Sequence, residues 1–371
     1  MEINRRFWLK QFGLGLAGVF LSNIRLSAAP VKIVNHDIKE AGNTDNPIIL
    51  RSNENPYGPS PLAQKEFAKN SSISNRYNWN IASQLISSIA TKNNVKEQNI
   101  LLGAGSTEIL DLAAIHAASD KGNYVIADPS YDYWTLSLDN FGLAKRKVSL
   151  SADKKLDLLA MREAIDQNTR LVYICNPNNP TGTILEKESL VSFIASIPSQ
   201  TTVLVDEAYL DFTKEQSLCD LINNYPNLII AKTFSKIYGL AGARIGYAVA
   251  NKILIDKLAS LQSNTNNSVS VLSKLAAIAS LNDNKFISDC YSLNNNVRKY
   301  TAEELTKLNC RCIPSSTNFI YFSLADFGKD YFQLLDKNNI QGTRIYEEEG
   351  RWTRITVGTM EEMKRFIKVL Q

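Results

Sequence analysis

The chain has only two histidines, His36 and His116, among 371 residues. An imidazole-based zinc site, or an acid–base relay of the serine–histidine kind, therefore lacks its parts. Five cysteines, Cys175, Cys219, Cys290, Cys310 and Cys312, show no Cys-x-x-Cys spacing, and their odd number argues against a disulfide framework. Cys310 and Cys312 alternate as residues on one strand face do, which favours burial over bonding. No ligand cluster suggests a metal. Charge of one sign is scarce too. The formal net charge is +4, with no basic run interleaved with aromatics, so nucleic acid is not expected as a partner. No apolar stretch suffices to span a bilayer, so no stable membrane insertion is expected. Repeats and low-complexity tracts are absent. What is present is ordinary globular composition, 44% hydrophobic and 21% charged, in a chain long enough for two domains.

The first 29 residues read differently from the rest. Arg5-Arg6-Phe7-Trp8-Leu9-Lys10 leads into a mild apolar run from Phe12 to Leu21, then Ser27-Ala28-Ala29. A basic segment, a short apolar segment and a small-residue exit form the layout of a signal peptide. Paired arginines before an aromatic residue resemble a twin-arginine export signal, and Gly13, Gly15 and Gly18 keep the apolar run weakly hydrophobic. The expectation is a leader over residues 1–29 and a periplasmic or exported enzyme. The alternative is an amphipathic arm on a cytoplasmic one.

Beyond a loose lead-in, the chain alternates. Apolar strands are expected at Ile100–Leu102, Tyr124–Ala127, Lys147–Leu150, Leu171–Cys175, Thr202–Val205 and Leu228–Ala231, with helices between them. Such strand–helix units build a mostly parallel sheet with right-handed crossovers. After Tyr247 the texture changes to long helical patterns with the short strands Phe319–Phe322 and Trp352–Val357, as in a smaller α+β domain. Residues 30–58 are expected to form an N-terminal arm of that smaller domain, 59–262 a large domain and 263–371 the small one.

Chemistry gathers where strands end. Thr233-Phe-Ser-Lys236 follows the last parallel strand, and Arg244 lies eight residues beyond Lys236. A lysine among hydroxyls near a fixed cation suits an aldehyde cofactor bearing a phosphate. The amine forms an imine, nearby charge lowers its pKa, and arginine forks a phosphate. A surface lysine in a loop is the plainer alternative. Gly103-Ala104-Gly105-Ser106-Thr107-Glu108 opens a helix and could cup a phosphate, or could be only an ordinary capped start. Tyr131 follows a strand end, free either to stack on a planar ring or to pack in the core. Asn176-Pro-Asn-Asn179-Pro-Thr-Gly182 carries more asparagine and proline than a turn requires. Asp206 and Glu207 end a strand; an acid in that low-dielectric mouth must find a cationic partner. Asn53-Glu-Asn55-Pro-Tyr57-Gly-Pro59 is a loop suited to lining a ligand site. Arg344 and Arg354 sit on expected strands, either solvated or aimed at a carboxylate.

Taken in order, the motifs Asn-Glu-Asn-Pro-Tyr-Gly-Pro, Gly-x-Gly-Ser-Thr-Glu, Asn-Pro-Asn-Asn-Pro-Thr-Gly, Asp-Glu-Ala-Tyr, Thr-Phe-Ser-Lys and Arg-Ile-Thr-Val-Gly resemble the histidinol-phosphate aminotransferases over roughly residues 45–371. These are pyridoxal-phosphate enzymes of the fold-type I aminotransferase class. The resemblance implies an α/β fold, with a large domain whose mostly parallel sheet is flanked by helices and a smaller α+β domain. It implies pyridoxal 5'-phosphate as cofactor, an amino acid and a 2-keto acid as small-molecule partners, and a homodimer. It implies that Lys236 forms the imine and that Asp206 pairs with the protonated pyridine nitrogen. Asn179 and Tyr209 would bond the ring hydroxyl oxygen, and Tyr131 would stack on the ring. Ala104, Gly105, Ser106, Thr233, Ser235 and Arg244 would hold the phosphate, with Tyr77 reaching the partner subunit's phosphate. Arg354 would bind the substrate carboxylate, with Asn55, Tyr57 and Arg344 as further substrate contacts.

Specificity is left open. The stretch Asn266-Asn-Ser-Val-Ser270 lacks the aromatic residue usual ahead of it in that family, and Tyr77 is followed by Asn78 and Trp79 rather than proline. A general amino-acid aminotransferase is the first reading. Histidinol-phosphate specificity, a threonine-phosphate decarboxylase relative and a non-catalytic exported binding protein are the alternatives.

Overall fold

The computed structural model describes residues 47–371. The proposed leader and most of the lead-in to residue 46 lie outside the described residues. The described residues form twelve strands: β1 (Ile48–Ile49), β2 (Ile100–Gly103), β3 (Asn123–Asp128), β4 (Ala144–Ser149), β5 (Thr169–Cys175), β6 (Thr202–Asp206), β7 (Leu228–Thr233), β8 (Gly246–Ala250), β9 (Phe319–Ser323), β10 (Ile340–Gln341), β11 (Ile345–Glu347) and β12 (Trp352–Thr356). The helices are α1 (Pro61–Asn70), α2 (Asn80–Asn93), α3 (Ser106–Ala117), α4 (Leu136–Asn140), α5 (Leu158–Glu163), α6 (Lys187–Ser196), α7 (Lys252–Ser260), α8 (Val271–Leu281), α9 (Asn284–Lys307), α10 (Tyr331–Lys337) and α11 (Met360–Leu370).

Seven strands form one sheet in the order β2-β8-β7-β6-β5-β3-β4. Every neighbouring pair from β7 to β4 is parallel, while β8 runs antiparallel to both β7 and β2. Side chains alternate along each strand. In β5, Val172 and Ile174 enter one core while Leu171, Tyr173 and Cys175 enter the other. In β7 the same split separates Leu228 and Ile230 from Ile229 and Ala231. Strands buried on both faces read as continuous apolar runs, which is why they stand out in the sequence. α3, α4 and α7 cover one face; α2, α6 and α8 supply residues to the core on the other. A second, three-stranded antiparallel sheet, β11-β12-β9, packs its own core with α10 and α11. β1 pairs in parallel with β10, tying the start of the described chain to this second part.

β8 departs from the expected pattern, in which helices follow Tyr247 directly. Its five residues Gly-Tyr-Ala-Val-Ala are all buried. So short an apolar run is not separable by periodicity from the helix that follows it. The cysteines are all free, and Cys310 is buried as expected. His116 is only half-buried; desolvation and then the nearby Lys257 lower its pKa.

One buried ion pair braces the C-terminal end of β7. Lys232 of β7 donates to Glu207 at 2.8 Å, and the two side chains are 6% and 2% exposed. Glu207 also accepts from the Ser217 hydroxyl at 2.6 Å and the Leu218 N–H at 2.9 Å. Removing one partner strands the other charge. We predict that Lys232→Met costs about 3–5 kcal/mol in urea unfolding, and that adding Glu207→Gln recovers at least about half of that loss. An additive double variant would show that the pair is not coupled.

Candidate active site

The parallel strands deliver their C-terminal ends to one edge, and a cavity of about 700 Å³ opens there. Lys236 reaches it from the loop after β7. Backbone bonds from Leu240 to Phe234 and from Gly239 to Lys236, each 3.0 Å, fold that loop tightly. The Lys236 ammonium nitrogen donates to the Ser52 carbonyl at 3.2 Å and lies 5.4 Å from the Tyr209 ring centre. Desolvation, and then the positive charge of Arg354, lower its pKa to about 8. The amine thus sheds its proton much closer to neutral pH than an ordinary lysine does, although the ammonium form still predominates at pH 7.

Asp206 ends β6 and is 2% exposed. It accepts from the Tyr173 hydroxyl at 3.1 Å and from the Ala208 N–H at 3.0 Å. Desolvation raises its pKa to about 6. The cationic partner expected for this acidic pair has gone to its neighbour: Lys232 pairs with Glu207, and among the described residues no side chain forms an ion pair with Asp206.

A polar face comes from four separate segments. The Tyr209 hydroxyl accepts from Asn53 Nδ2 at 2.9 Å and from Asn179 Nδ2 at 3.4 Å, leaving its own proton free for an outside acceptor. Arg354, on β12 and 6% exposed, donates to Asn179 Oδ1 and to the Arg51 carbonyl, the latter at 2.7 Å. Its Nε is buried without an acceptor.

At the start of α3 no side chain caps the first turn. Gly105 adopts φ +80°, and a Cβ there would stand 2.5 Å from a terminal guanidinium nitrogen of Arg244. A Cβ on Gly246 would stand 2.4 Å from the Ser106 nitrogen. Two glycines therefore let helix start and arginine close on a small space beside Thr233 and Ser235, whose hydroxyls bond each other at 2.9 Å. Free N–H groups, a helix start and a guanidinium make an anion cup.

The cavity thus gathers Lys236, Asp206, Asn179, Tyr209, Tyr131 and Ser106, together with Thr233, Ser235, Arg244, Arg344 and Arg354. Four expected residues stand apart. Asn55 does not face the cavity; it donates to the Ile237 carbonyl at 2.8 Å and so supports the lysine loop from behind. Tyr57 borders a separate small void with Phe212 and Cys290. Their loop does reach the site, but through Arg51 to Glu54, because the turn at Asn55 and Pro56 carries the chain away. Ala104 offers no free N–H, because Glu108 takes it. Tyr77 is 75% exposed and stacks on Trp79 at 5.0 Å, outside its own chain's cavity.

Sequence reasoning missed Asn53, 1% exposed at φ +54°, and Tyr173 behind Asp206. Asn53 could have been noticed as an asparagine in a turn, where positive φ is tolerated. Tyr173 is the one hydroxyl in an otherwise apolar stretch of β5, Leu171 to Cys175. Thr107, within the expected phosphate-cup segment, also lines the cavity, as do Tyr133 and Tyr346, which no signal in the sequence placed there.

The sequence profile of Aminotransferase class I and II matches residues 45–370. The chain belongs to that family. This aminotransferase is 33% identical over 330 residues to the histidinol-phosphate aminotransferase of Halalkalibacterium halodurans, covering 88% of this chain and 89% of that one. A crystal structure from Erwinia carotovora atroseptica, provisionally assigned as a histidinol-phosphate aminotransferase, superposes with a TM-score of 0.82 at 32% identity, over 88% of this chain and 96% of that one. The Sinorhizobium meliloti histidinol-phosphate aminotransferase, solved in complex with pyridoxal-5'-phosphate, shares the fold with a TM-score of 0.80 at 24% identity, over 88% of this chain and 91% of that one. The fold is that of the fold-type I pyridoxal-phosphate aminotransferases, and the chain is a pyridoxal-phosphate-dependent transaminase.

The residues present fit the cofactor. The cup fits its phosphate, and the buried, cation-free carboxylate of Asp206 fits a protonated ring nitrogen. That carboxylate sets a pH limit. Its raised pKa means that the ionised form is lost as pH falls through about 6. We predict that pyridoxal-phosphate affinity of the apo chain, followed by fluorescence titration, weakens below about pH 6, and that Asp206→Asn weakens binding at neutral pH and flattens this dependence. An unchanged profile in the variant would exclude Asp206 as the group responsible.

Proposed function

We propose that this transaminase takes amino donors bearing an anionic group, which Arg354 holds against the cofactor. The observation that carries the proposal is the buried guanidinium of Arg354 with an unpartnered Nε at the cavity wall. An unsatisfied buried donor is costly unless a ligand completes it, and a guanidinium completes best on a carboxylate or phosphate. An α-amino acid meets this need with its carboxylate. Histidinol phosphate meets it with its phosphate, and the named relatives favour that donor as the second reading.

Bound pyridoxal phosphate supplies the electron sink for the charge left when a Cα proton is removed. The chain's own residues do the rest. Asp206 holds the ring nitrogen protonated. Tyr209 and Asn179 steady the ring oxygen, and Tyr131 bounds one face of the ring. Ser106, Gly105, Thr233, Ser235 and Arg244 anchor the phosphate. Lys236, with its pKa lowered to about 8, would take up the Cα proton and deliver it to the cofactor carbon that carried the aldehyde. Arg344, exposed between Tyr133 and Tyr346 at 5.7 and 5.4 Å, guards the mouth as a further anion contact.

These roles sit in a chain divided near residue 262 into a cofactor-bearing part and a smaller one. The exposed Tyr77–Trp79 stack supports a homodimer in which Tyr77 serves the partner subunit's phosphate site. The leader-like residues 1–29 support export of the loaded enzyme, whereas the relatives' histidinol-phosphate activity fits the cytoplasmic alternative. Fractionating cells that carry a tagged chain separates the two.

The deciding experiment is a spectral titration of the cofactor-loaded protein with amino acids and histidinol phosphate. Conversion of the cofactor to its amine form by some of them, reversed by a 2-keto acid, is the expected result. Release of carbon dioxide without need of a keto acid would overturn it in favour of a decarboxylase. The half-reaction rate should rise with pH and level off above about 8, because the free amine of Lys236 is the active form. Lys236→Ala should slow it by at least about 10²–10⁴-fold; retained turnover would remove Lys236 from the mechanism.

A further inference from the structure

Arg344 and Tyr346, two walls of the cavity, are carried by a weakly held segment. β11 has only three residues, pairs with β12 alone, and its register is irregular between Ile345 and Glu347. Thr353 Oγ1 donates to the Arg344 carbonyl at 2.9 Å, and Thr343 Oγ1 donates to the Arg354 carbonyl. These bonds fix the segment to its own sheet, but none fixes it to the sheet that carries Lys236 and Asp206.

That link comes from Lys154. Its ammonium group meets Glu347 at 2.6 Å, with side chains 18% and 23% exposed. Among the described residues this is the one ion pair joining the part of the chain with the seven-stranded sheet to the part with β9, β11 and β12. Three further observations hold Lys154 to the task. Its backbone sits at φ +61°, a left-handed conformation unusual for lysine. Its ammonium lies 5.0 Å from the Trp352 ring centre, a cation–π contact. Its carbonyl accepts from Thr183 Oγ1 at 2.9 Å, at the end of the turn that presents Asn179. On the far side, Tyr321 donates to the second oxygen of Glu347 at 2.7 Å and stacks on Trp352 at 5.3 Å. The pair is thus oriented from both ends.

We infer that the Lys154–Glu347 ion pair is a clasp that sets the Gly342–Tyr346 wall against the cofactor-bearing sheet, which makes Lys154 a positioning residue for donor recognition. Lys154 touches neither cavity nor cofactor; it acts through Glu347 on the adjoining Tyr346 and, through it, on Arg344. The inference rests on the proposed reading of the cavity as a donor site, and its test separates the two.

The variants are Lys154→Met, Glu347→Gln and the exchanged pair Lys154→Glu with Glu347→Lys, all cofactor-loaded. Hydrogen exchange reads the clasp without any substrate. Amides of residues 342–347 should exchange about five-fold faster in Lys154→Met while those of β9 stay unchanged, and the exchanged pair should recover at least part of the protection. Steady-state kinetics reads recognition. The donor KM should rise about five-fold, with kcat and cofactor affinity held within about two-fold. Unchanged exchange at 342–347 overturns the clasp. Faster exchange with an unchanged KM overturns its role in recognition, as does a parallel loss of kcat and cofactor affinity. If the wild-type protein turns over no donor, the donor-site reading fails, and the exchange data alone decide whether the clasp stands.

Discussion

The carboxylate of Asp206 is held at the end of a strand buried on both faces, with a tyrosine hydroxyl and one backbone N–H as partners. A buried carboxylate is costly without a compensating cation. The nearest acid, Glu207, is neutralised by Lys232 within the same sheet edge. Asp206 is left with polar partners only, and its raised pKa records the cost. A cationic ring nitrogen, as proposed above, would close this gap. The site is organised around a charge that the chain itself does not balance.

The other groups converge on that point from distant parts of the chain. Lys236 comes from the loop after β7, Arg354 from β12, Asn179 from the turn after β5 and Asn53 from the segment after β1. They are joined by few bonds: Asn53 and Asn179 to the Tyr209 hydroxyl, and Arg354 to Asn179. Each side chain on this face therefore orients another. The desolvation that raises Asp206 also lowers Lys236, so burial in one cavity pushes both groups toward their uncharged forms. Ala104 fits the same pattern from the outside, since its N–H is spent on Glu108 and the anion cup is left to Ser106, Gly105 and Arg244.

Much of this was legible in the sequence. Strands of a doubly covered sheet are apolar throughout, so β2, β3, β5, β6 and β7 and the polar motifs at their ends stand out. Lys236, Asp206, Asn179 and Arg244 stood out because polar groups at or just beyond a strand's end interrupt such a run, and the structure brings all four to one cavity. β8 was not found, because five apolar residues between a loop and a helix carry no period of their own. Asn55 and Tyr57 were assigned to the substrate, yet the turn at Asn55 and Pro56 sends them behind the lysine loop, and Asn53 takes the place at the site.

By itself the sequence determined the α/β class, because burial and backbone geometry are local properties that leave a periodic trace, and it placed at the strand ends the motifs whose family resemblance implied the cofactor. Tertiary structure alone decided which acid of the Asp206–Glu207 pair is left without a cation, which asparagine meets Tyr209, and how Lys154 is brought against Glu347 across 193 positions of chain. Those outcomes depend on strand register and on contacts between distant segments, where one residue's shift exchanges an inward for an outward side chain.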